Sequence, residues 1–387
     1  MPALEGLAGM VEAVAPQIIE LRRRLHSVPE PAHHEVATTE LVRRALEVGG
    51  IAFCDRGDRT GGWVDVGPEP RIGFRADLDG LPITEPAENS PRSSHEGWMH
   101  SCGHDAHTAI AVGIALTLNR LEPDHGIRVL FQPAEETTPS GAIELVSEGL
   151  VDGLEGLVAF HVDPTLPVGR IGARSGPITS SADSLTIVLH GPGGHTSRPH
   201  NTVDVVDAAA RVVSELPTAI RRSIDARTPI VTAFGSIHGG SAPNVIPTQI
   251  TIQGTVRSLD LEVWESLPGL IDKTLGSILA LSGAGYTVDF QQGIPPVVND
   301  ERLVQLASHA IEAELGQGSV VGTEQSMGGE DFSNYLTATP GALLRLGAAS
   351  GGGDLHSARF QMNDRAVPFG IRAGVSALLR LAEPSSV

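Results

Sequence analysis

The sequence predicts an α/β protein, with a large mixed or mostly parallel sheet that has helices on both faces and carries a smaller inserted module. Up to about residue 180, β-like runs alternate with helical patterns, which is typical of a covered parallel sheet. A β-α-β-β-α-β order follows, which is the split arrangement of a ferredoxin-like module. From residue 294 the pattern returns to mixed elements. We therefore expect a discontinuous outer domain, 1–180 with 294–387, around an inserted domain at 181–293.

The composition limits the class of protein. A chain of 387 residues exceeds what one hydrophobic core usually holds, so two domains are expected. The formal net charge of −19 argues against nucleic acid or an anionic membrane surface as a partner. Because we find neither a signal-peptide pattern nor an apolar run of membrane-spanning length, we expect a cytoplasmic protein. Two cysteines, Cys54 and Cys102, do not make a disulfide framework, which fits a reducing compartment.

The elements of the outer domain follow from hydrophobic periodicity. Two amphipathic helices are predicted first, at 11–25 and 38–48, and the second is expected to begin with Thr38 as its cap. The later elements are β-runs at 63–66, 71–75, 127–131, 157–160 and 342–346, and helices at 107–118, 142–150, 303–315 and 368–381. Asp77, Glu135 and His161 each come just after a β-run. Ligands bind such sheets beyond the carboxyl ends of the strands, so we expect the functional site there.

The inserted module has its own set of elements and its own boundaries. Its predicted strands are 185–189, 230–237, 249–257 and 286–291, and its predicted helices are 203–216 and 261–281. Glycine and proline mark both of its edges, at Gly176-Pro177 and at Gly293 to Pro296.

The most informative motif is Cys102-Gly103-His104-Asp105. A thiolate and an imidazole two residues apart are both ligands for divalent metals such as Zn, Mn, Ni and Co. Gly103 allows the backbone to turn so that both side chains face one point. The alternative is a buried cysteine beside a helix-starting histidine, with Asp105 as the cap. The spacing alone leaves both interpretations open.

Adjacent acids, Glu135 and Glu136, follow a strand that ends at Pro133. One carboxylate of such a pair can bind a metal while the other takes a proton from water, a division of roles that metal-assisted hydrolysis requires. Two solvated acids on a loop are the commoner meaning of such a pair.

Further metal-capable residues lie near the ends of other elements. His161 ends a predicted strand, and His356 lies in a glycine-rich loop, although a single histidine is more often a surface or core residue than a ligand. Asp77 and Asp79 are candidates as ligands, as carboxylates that orient a ligand histidine, or as caps of the following turn.

Three candidates for substrate contact lie in the inserted module. His195 is exposed on a glycine-rich loop, and Asn244, between two prolines, can donate to a substrate carbonyl. Arg257 ends a predicted strand and can bind a carboxylate through two parallel hydrogen bonds. The alternatives are that His195 lies in an ordinary turn, that Asn244 is an ordinary loop residue, and that Arg257 is a charged residue at a strand end.

Together these motifs resemble the M20 metallopeptidase superfamily, in particular its aminoacylase-like amidohydrolase branch. That branch includes hippurate hydrolases, N-acyl-amino-acid deacetylases and auxin-conjugate hydrolases. The matching segments follow one another along nearly the whole chain, at 22–26, 75–82, 99–107, 131–136, 193–195, 244–247, 328–332 and 355–357.

The resemblance implies roles for the candidate residues. Two divalent cations, of Mn, Zn, Ni or Co, would be held by Cys102, His104, Glu136, His161 and His356, with Cys102 bridging. Glu135 would be the general base. The inserted module would be a lid that forms a homodimer or higher homo-oligomer, and His195 would stabilise the oxyanion in the partner's site. Asn244 and Arg257 would help hold the substrate.

The function implied is hydrolysis of the amide bond of N-acyl amino acids or related conjugates, by a water that two metals and Glu135 activate. The alternatives within the superfamily are a small dipeptidase and a carbamoyl- or amidino-type amidohydrolase. Outside it, they are a cysteine amidase that uses Cys102 as nucleophile and a metal-binding dimer without activity. The acyl group and the metal stay open.

Overall fold

The structure is a computed structural model that describes Leu4 and residues 6–384. The α-helices of these residues are α1 Leu7–Ser27, α2 Val36–Val48, α3 His104–Leu121, α4 Gly141–Ser147, α5 Val205–Ser223, α6 Leu261–Leu279, α7 Glu301–Leu315 and α8 Ala366–Ala382. The strands are β1 Cys54–Arg56, β2 Arg59–Val66, β3 Pro70–Asp77, β4 Gly126–Gln132, β5 Gly156–Asp163, β6 Ile171–Ala173, β7 Gly176–Thr179, β8 Ala182–His190, β9 Gly194–His195, β10 Ile230–His238, β11 Val245–Ile246, β12 Gln249–Ser258, β13 Gly285–Ile294, β14 Val297–Asn299, β15 Val320–Gly322 and β16 Gly341–Gly347. Within the described part of the chain, no helix is both long and apolar enough to cross a lipid bilayer.

Internal contacts divide the chain into two compact units. The first comprises Met1–Gly176, Val298–Glu324 and Asn334–Val387, and the second comprises Pro177–Val297 and Gln325–Ser333. The domain division expected from the sequence, at 180/181 and 293/294, stays a prediction. The sequence does not predict that a short later segment, Gln325–Ser333, groups with the second unit.

The first unit is built on an eight-stranded mixed sheet with the order β1-β2-β4-β3-β5-β16-β6-β15. The pairs β3·β4, β3·β5, β5·β16 and β6·β15 are parallel, whereas β1·β2, β2·β4 and β6·β16 are antiparallel. Every residue of β16 is buried, so both faces of this strand are covered. The predicted α/β class with a large mixed sheet is confirmed.

Three parallel strands bring chemically active residues to one edge of this sheet. β3 lies between β4 and β5 and runs parallel to both, so their carboxyl ends meet there. α3 begins beside them, because Thr108 Oγ1 donates to the Asp77 carbonyl at 2.7 Å.

His161 lies inside β5, two residues before its end, so its predicted place at the strand's end is wrong. The apolar run stops at Phe160, but pairing with β16 continues to Asp163.

The start of α2 differs from the sequence prediction. The helix begins at Val36, and Thr38 is buried inside its first turn, so Thr38 as the cap is wrong. Instead, the Glu30 carboxylate accepts from the backbone N–H of Ala37 at 3.0 Å and from that of Thr38 at 2.8 Å. A carboxylate at a helix N-terminus satisfies free amides and is favoured by the helix dipole. The acceptor comes from an upstream loop, which a local capping pattern does not show.

The second unit contains a four-stranded antiparallel sheet with the order β10-β12-β8-β13. Along the chain its elements come as β8, α5, β10, β12, α6 and β13, which is the order that the sequence predicts. Alternate residues of β8, such as Leu185 and Ile187, are buried against apolar side chains of the two helices, such as Val212 and Ile271. One face of the sheet is thus covered by α5 and α6.

A buried network of charged side chains connects α1 to the start of α3. Asp105, in the first turn of α3, lies 2.9 Å from His26 Nδ1 and 2.8 Å from Arg22 Nε. His26 Nε2 lies 3.0 Å from Glu85 Oε1, and all four side chains are buried. Burial acts to lower the pKa of His26, but Asp105 and Glu85 outweigh it and raise that pKa to about 9. The network holds the residue that follows His104.

We expect the free energy of unfolding to decrease as the pH rises from about 6.5 to about 9. The pKa of His26 is raised in the folded state, so the stabilisation is complete below the unfolded value of 6.5 and is lost as the pH rises through about 9. The contribution is on the order of 3 kcal/mol. Denaturant unfolding at about pH 6 and about pH 9.5, with a chelator present, measures it.

The matched variants for this measurement are His26→Gln and His34→Gln. His26→Gln should be less stable and should lose this part of the pH dependence, whereas exposed His34 should be replaceable without effect on the slope. An unchanged pH slope in His26→Gln would contradict the assignment.

Candidate metal centre

Side chains that the sequence singles out for metal binding and proton transfer lie together in the first unit. They are Cys102, His104, Glu135, Glu136, His161 and His356. Their possible ligand atoms form groups in which all atoms lie within 4.8 Å of one another, including Cys102 with His104 and His161, Cys102 with Glu136 and His356, and His104 with Glu135 and Glu136. Two of these groups share Cys102, so its sulfur lies between two possible cation positions.

The buried thiol of Cys102 is close to two imidazoles. Its Sγ lies 3.4 Å from His161 Nε2 and 3.3 Å from His356 Nε2. Ligand bonds of 2.0–2.3 Å in tetrahedral geometry would separate two ligand atoms by about 3.3–3.8 Å. Gly103 makes the approach possible, because its φ is +85° and a Cβ there would lie 2.3 Å from Val162 Cγ2. The spacing of these atoms fits atoms that share a cation.

His104, the first residue of α3, is oriented by its backbone neighbour. Its Nδ1 donates to the Asp79 carbonyl at 2.9 Å, which leaves the Nε2 lone pair free in the neutral ring. Nε2 is buried, has no hydrogen-bond partner among the described residues, and lies 3.8 Å from Glu135 Oε2 and 3.9 Å from Glu136 Oε1. Burial opposes the charged ring, but the charge of Asp77 outweighs it and raises the pKa of His104, so these surroundings favour positive charge at the ring. A buried nitrogen among carboxylates that favour positive charge fits a divalent cation.

His161 is held as a neutral imidazole. Its Nδ1 donates to the Val162 carbonyl at 2.8 Å, so Nε2 is the nitrogen that faces Cys102. Burial, together with the charge of Arg345, lowers the pKa of His161 well below its ordinary value. The neutral ring is the form of histidine that binds metals.

His107 and Asp77 lie close to the cluster but are engaged elsewhere. His107 Nδ1 donates to Asp77 Oδ1 at 2.7 Å, and His107 Nε2 accepts from the Val162 N–H at 2.9 Å, so both ring nitrogens are used. Asp77 Oδ2 accepts from Arg75 at 2.5 Å. This geometry favours the supporting role for Asp77 among those that the sequence leaves open.

Asp79 holds the turn that carries the two acids. Its Oδ1 accepts from the backbone N–H of Glu135 and its Oδ2 from that of Glu136, each at 3.0 Å. The same carboxylate lies 3.4 Å from His104 Nδ1. One buried side chain therefore fixes the backbone of both acids relative to the imidazole of His104.

His356 reaches the cluster from the loop that precedes α8. Its backbone N–H donates to the Ser101 carbonyl at 2.9 Å, and its φ of +58° is unusual for a residue with a Cβ. Its Nε2 lies 3.1 Å from Glu136 Oε1, and this contact raises the pKa of His356. The side chain is 52% exposed, so the cluster is open to solvent on this side.

Charge balance in the cluster favours a cation over a free reactive thiol. Burial raises the pKa of the Cys102 thiol well above its ordinary value, and the charges of Glu136 and Glu135 add to this effect against that of His104. Reactive cysteines instead have lowered pKa values, so these surroundings argue against Cys102 as a nucleophile. A bound cation would favour the thiolate.

The predicted substrate residues lie in the second unit, and the structure brings two of them together. β9 pairs with β11 so that His195 is opposite Val245, and the Thr196 N–H donates to the Asn244 carbonyl at 3.1 Å. The Ser197 N–H donates to His195 Nδ1 at 3.1 Å, so the proton of the neutral ring is on Nε2. The ring itself is exposed.

Arg257 lies far from this pair within the same unit. The His195 loop joins the start of β12, where the Gly191 N–H donates to the Thr248 carbonyl at 2.9 Å, whereas Arg257 is near the end of that strand. Its guanidinium donates to the Met327 carbonyl at 3.0 Å. At the rise of an extended chain, Gln249 and Arg257 are roughly 25 Å apart.

Comparisons with known proteins agree with the fold. A family model described as peptidase family M20/M25/M40 matches residues 73–380. A dinuclear metal-binding peptidase of the M20 family from Bacillus subtilis superposes with a TM-score of 0.84 and 32% identity, covering 95% of this chain and 98% of that one.

Curated relatives include named hydrolases. An N-acetylcysteine deacetylase of Bacillus subtilis is 36% identical over 91% of this chain and 93% of its own length. An IAA-amino acid hydrolase of Arabidopsis thaliana is 34% identical over 94% of this chain and 85% of its own length. A provisionally named glutamate–cysteine ligase of Rhodococcus jostii is 41% identical over 95% of this chain, but the chain spans only 47% of that relative.

We expect Cys102→Ala to bind far less metal than His161→Ala or His356→Ala, because it removes a ligand from both groups that share this residue. His161→Ala and His356→Ala each remove a ligand from one group and should lose about half of the metal. Loss of a group that supports a ligand already lowers metal affinity by about 10–100-fold, so loss of the ligand itself should lower it at least as much. Elemental analysis after dialysis against Mn or Zn measures the content.

Cys54→Ala is the matched control, because Cys54 lies in β1, is half-buried and belongs to none of these groups. Its metal content should equal that of the wild type. Full metal content in Cys102→Ala would contradict the shared position of the sulfur.

Proposed function

The chain belongs to peptidase family M20/M25/M40, and from this premise we propose that it hydrolyses the amide bond of N-acyl amino acids or related amino-acid conjugates. The observation that carries the proposal is the cluster in which buried His104 Nε2 faces a thiol and the two acids of one turn. The N-acetylcysteine deacetylase and the IAA-amino acid hydrolase among its relatives support the substrate class.

The donor set suits two divalent cations. Cys102, His104, Glu136, His161 and His356 would hold them, with the Cys102 sulfur shared, and the mixed N, O and S donors suit Mn, Zn, Ni or Co. Such ions polarise a carbonyl oxygen and lower the pKa of water. The dinuclear peptidase of similar fold supports the number of ions.

Glu135 is the proposed general base. Its backbone is held by Asp79, and its side chain is only 10% exposed, so its carboxylate works in a largely dry position next to His104. It takes a proton from the attacking water as the new carbon–oxygen bond forms at the amide carbonyl. It then gives that proton to the departing nitrogen as the carbon–nitrogen bond breaks, which releases a carboxylic acid and an amino acid.

His195 is the proposed oxyanion donor, through the proton on its Nε2. We propose that residues 181–293 form a ferredoxin-like lid that makes the homodimer, and that His195 acts in the partner's site. The length of β12 supports this division, since Gln249, next to the start of the His195 loop, and Arg257 are roughly 25 Å apart, which is more than one amino-acid-sized substrate can span. One of the two then works in its own chain's site and the other in the partner's. Asn244 lies beside His195 and would contact the same substrate.

We expect Glu135→Gln to keep its metal and to lose turnover by about 10²–10⁴-fold, because the amide cannot accept the proton. The assay is a panel of N-acetyl, N-benzoyl and indole-acetyl amino acids, with Mn, Zn, Co or Ni added. Glu136→Gln is the contrasting variant and should lose metal as well as activity. Unchanged turnover in Glu135→Gln would defeat the mechanism.

The same panel separates the rival functions. A cysteine amidase would keep its activity after exhaustive chelation, whereas the proposed enzyme would lose it and regain it with added metal. Dipeptides and N-carbamoyl amino acids in the panel test the two alternatives within the superfamily. A binding protein without catalytic activity would turn over none of these substrates.

Mixed dimers test the placement of His195. His195→Ala and Glu135→Gln should each be nearly inactive, and their heterodimer should contain one intact site if His195 acts in the partner's site. Random re-association then restores about a quarter of wild-type activity. If mixing restores nothing, His195 acts within its own chain or not at all.

A further inference from the structure

Consecutive backbone amides of the turn that carries the proposed base all donate to buried carboxylates. Asp79 accepts from the N–H groups of Glu135 and Glu136, and Glu35 Oε1 accepts from the N–H of Ala134 at 2.8 Å. Charge-assisted hydrogen bonds of this kind are stronger than those between neutral groups. The turn is therefore held by two acids from different parts of the chain.

Glu35 is itself firmly held. It directly precedes α2 and is fully buried. Its Oε1 also accepts from the His33 N–H at 2.9 Å, and its Oε2 accepts from Thr60 Oγ1 at 2.6 Å. Both carboxylate oxygens are thus engaged, so the acceptor offered to Ala134 has a fixed position.

Ala134 is in a conformation that a residue with a Cβ rarely adopts. Its φ is +54°, in the left-handed region, and its carbonyl accepts from the Gly141 N–H at 2.9 Å. Such backbone persists only where the surroundings impose it. The strained residue directly precedes Glu135, so its conformation sets the direction in which the proposed base projects.

We propose that Glu35 is a positioning residue for the reaction, because its carboxylate holds the Ala134 amide and thereby aims Glu135 and Glu136 at the cluster. Among the hydrogen bonds and ion pairs of the described residues, none joins Glu35 to a proposed ligand. Only the kinetic part of this inference rests on the proposed function.

Glu30 provides a matched control within the same loop. It too accepts two backbone N–H bonds with one carboxylate, but from Ala37 and Thr38 of α2 rather than from the turn. Removal of either carboxylate frees backbone amides, yet only Glu35 touches the segment before Glu135.

Hydrogen exchange of backbone amides measures how firmly the turn is held, and it needs no activity assay. In Glu35→Ala, peptides that span residues 130–141 should exchange about tenfold faster, and in Glu30→Ala the faster exchange should be confined to the start of α2. Should Glu35→Ala fail to fold, Glu35→Asp, whose shorter side chain withdraws the acceptor, gives the same comparison. Unchanged exchange at 130–141 in the folded variant would overturn the proposal.

Kinetics at saturating metal test the positioning role. We expect kcat to fall by about 10–100-fold in Glu35→Ala with KM within about twofold, because the substrate contacts are intact while the base is misdirected. Glu35→Gln, whose amide oxygen can still accept from Ala134, should recover kcat to within about threefold of the wild type. Glu30→Ala should keep wild-type kcat. Equal losses in Glu30→Ala and Glu35→Ala would overturn the positioning role.

If the wild type cleaves no substrate of the panel, the proposed function fails, while the exchange result still decides the role of Glu35 in the turn.

Discussion

A thiol, several imidazoles and two adjacent carboxylates can lie together in a largely buried cluster only if every lone pair and charge is balanced. In this protein much of the balance comes from the backbone and from neighbouring side chains. His104 and His161 each donate one ring proton to a carbonyl, so Nε2 of His161 faces the Cys102 sulfur and Nε2 of His104 faces Glu135 and Glu136. The remaining imbalance, a buried lone pair and a thiol with a raised pKa, fits a site that takes up divalent cations.

Three acids around the cluster fix the positions of neighbouring groups. Asp77 orients His107, Asp79 holds the amides of Glu135 and Glu136, and Asp105 joins the buried network at the start of α3. These carboxylates can support the site without binding a metal, because each fixes the backbone or a ring next to a proposed ligand. Positions defined this way suit proton transfer, which depends on short, well-aligned contacts.

Much of the fold is predictable because hydrophobic periodicity is a local property. The alternation of elements, the β-α-β-β-α-β order of the second unit and the metal-capable motifs are all visible in the sequence. The errors arose where a distant group decides a local feature. Thr38 resembles a helix cap, but Glu30 supplies the acceptor, and His161 lies within a strand because pairing with β16 extends past the apolar run.

The sequence by itself determined which metal-capable residues the chain has and which family it belongs to, since the order and spacing of its motifs can be seen without a structure. The tertiary structure alone decided that Nε2 of His161 and Nε2 of His356 face the sulfur, and which acid holds which amide. It also decided that Glu35 accepts a hydrogen bond from Ala134, 99 residues further along the chain. It placed the His195 loop near one end of β12 and Arg257 near the other. The physical reason is that hydrogen-bond direction and strand register depend on groups far apart in the chain, which no local pattern encodes.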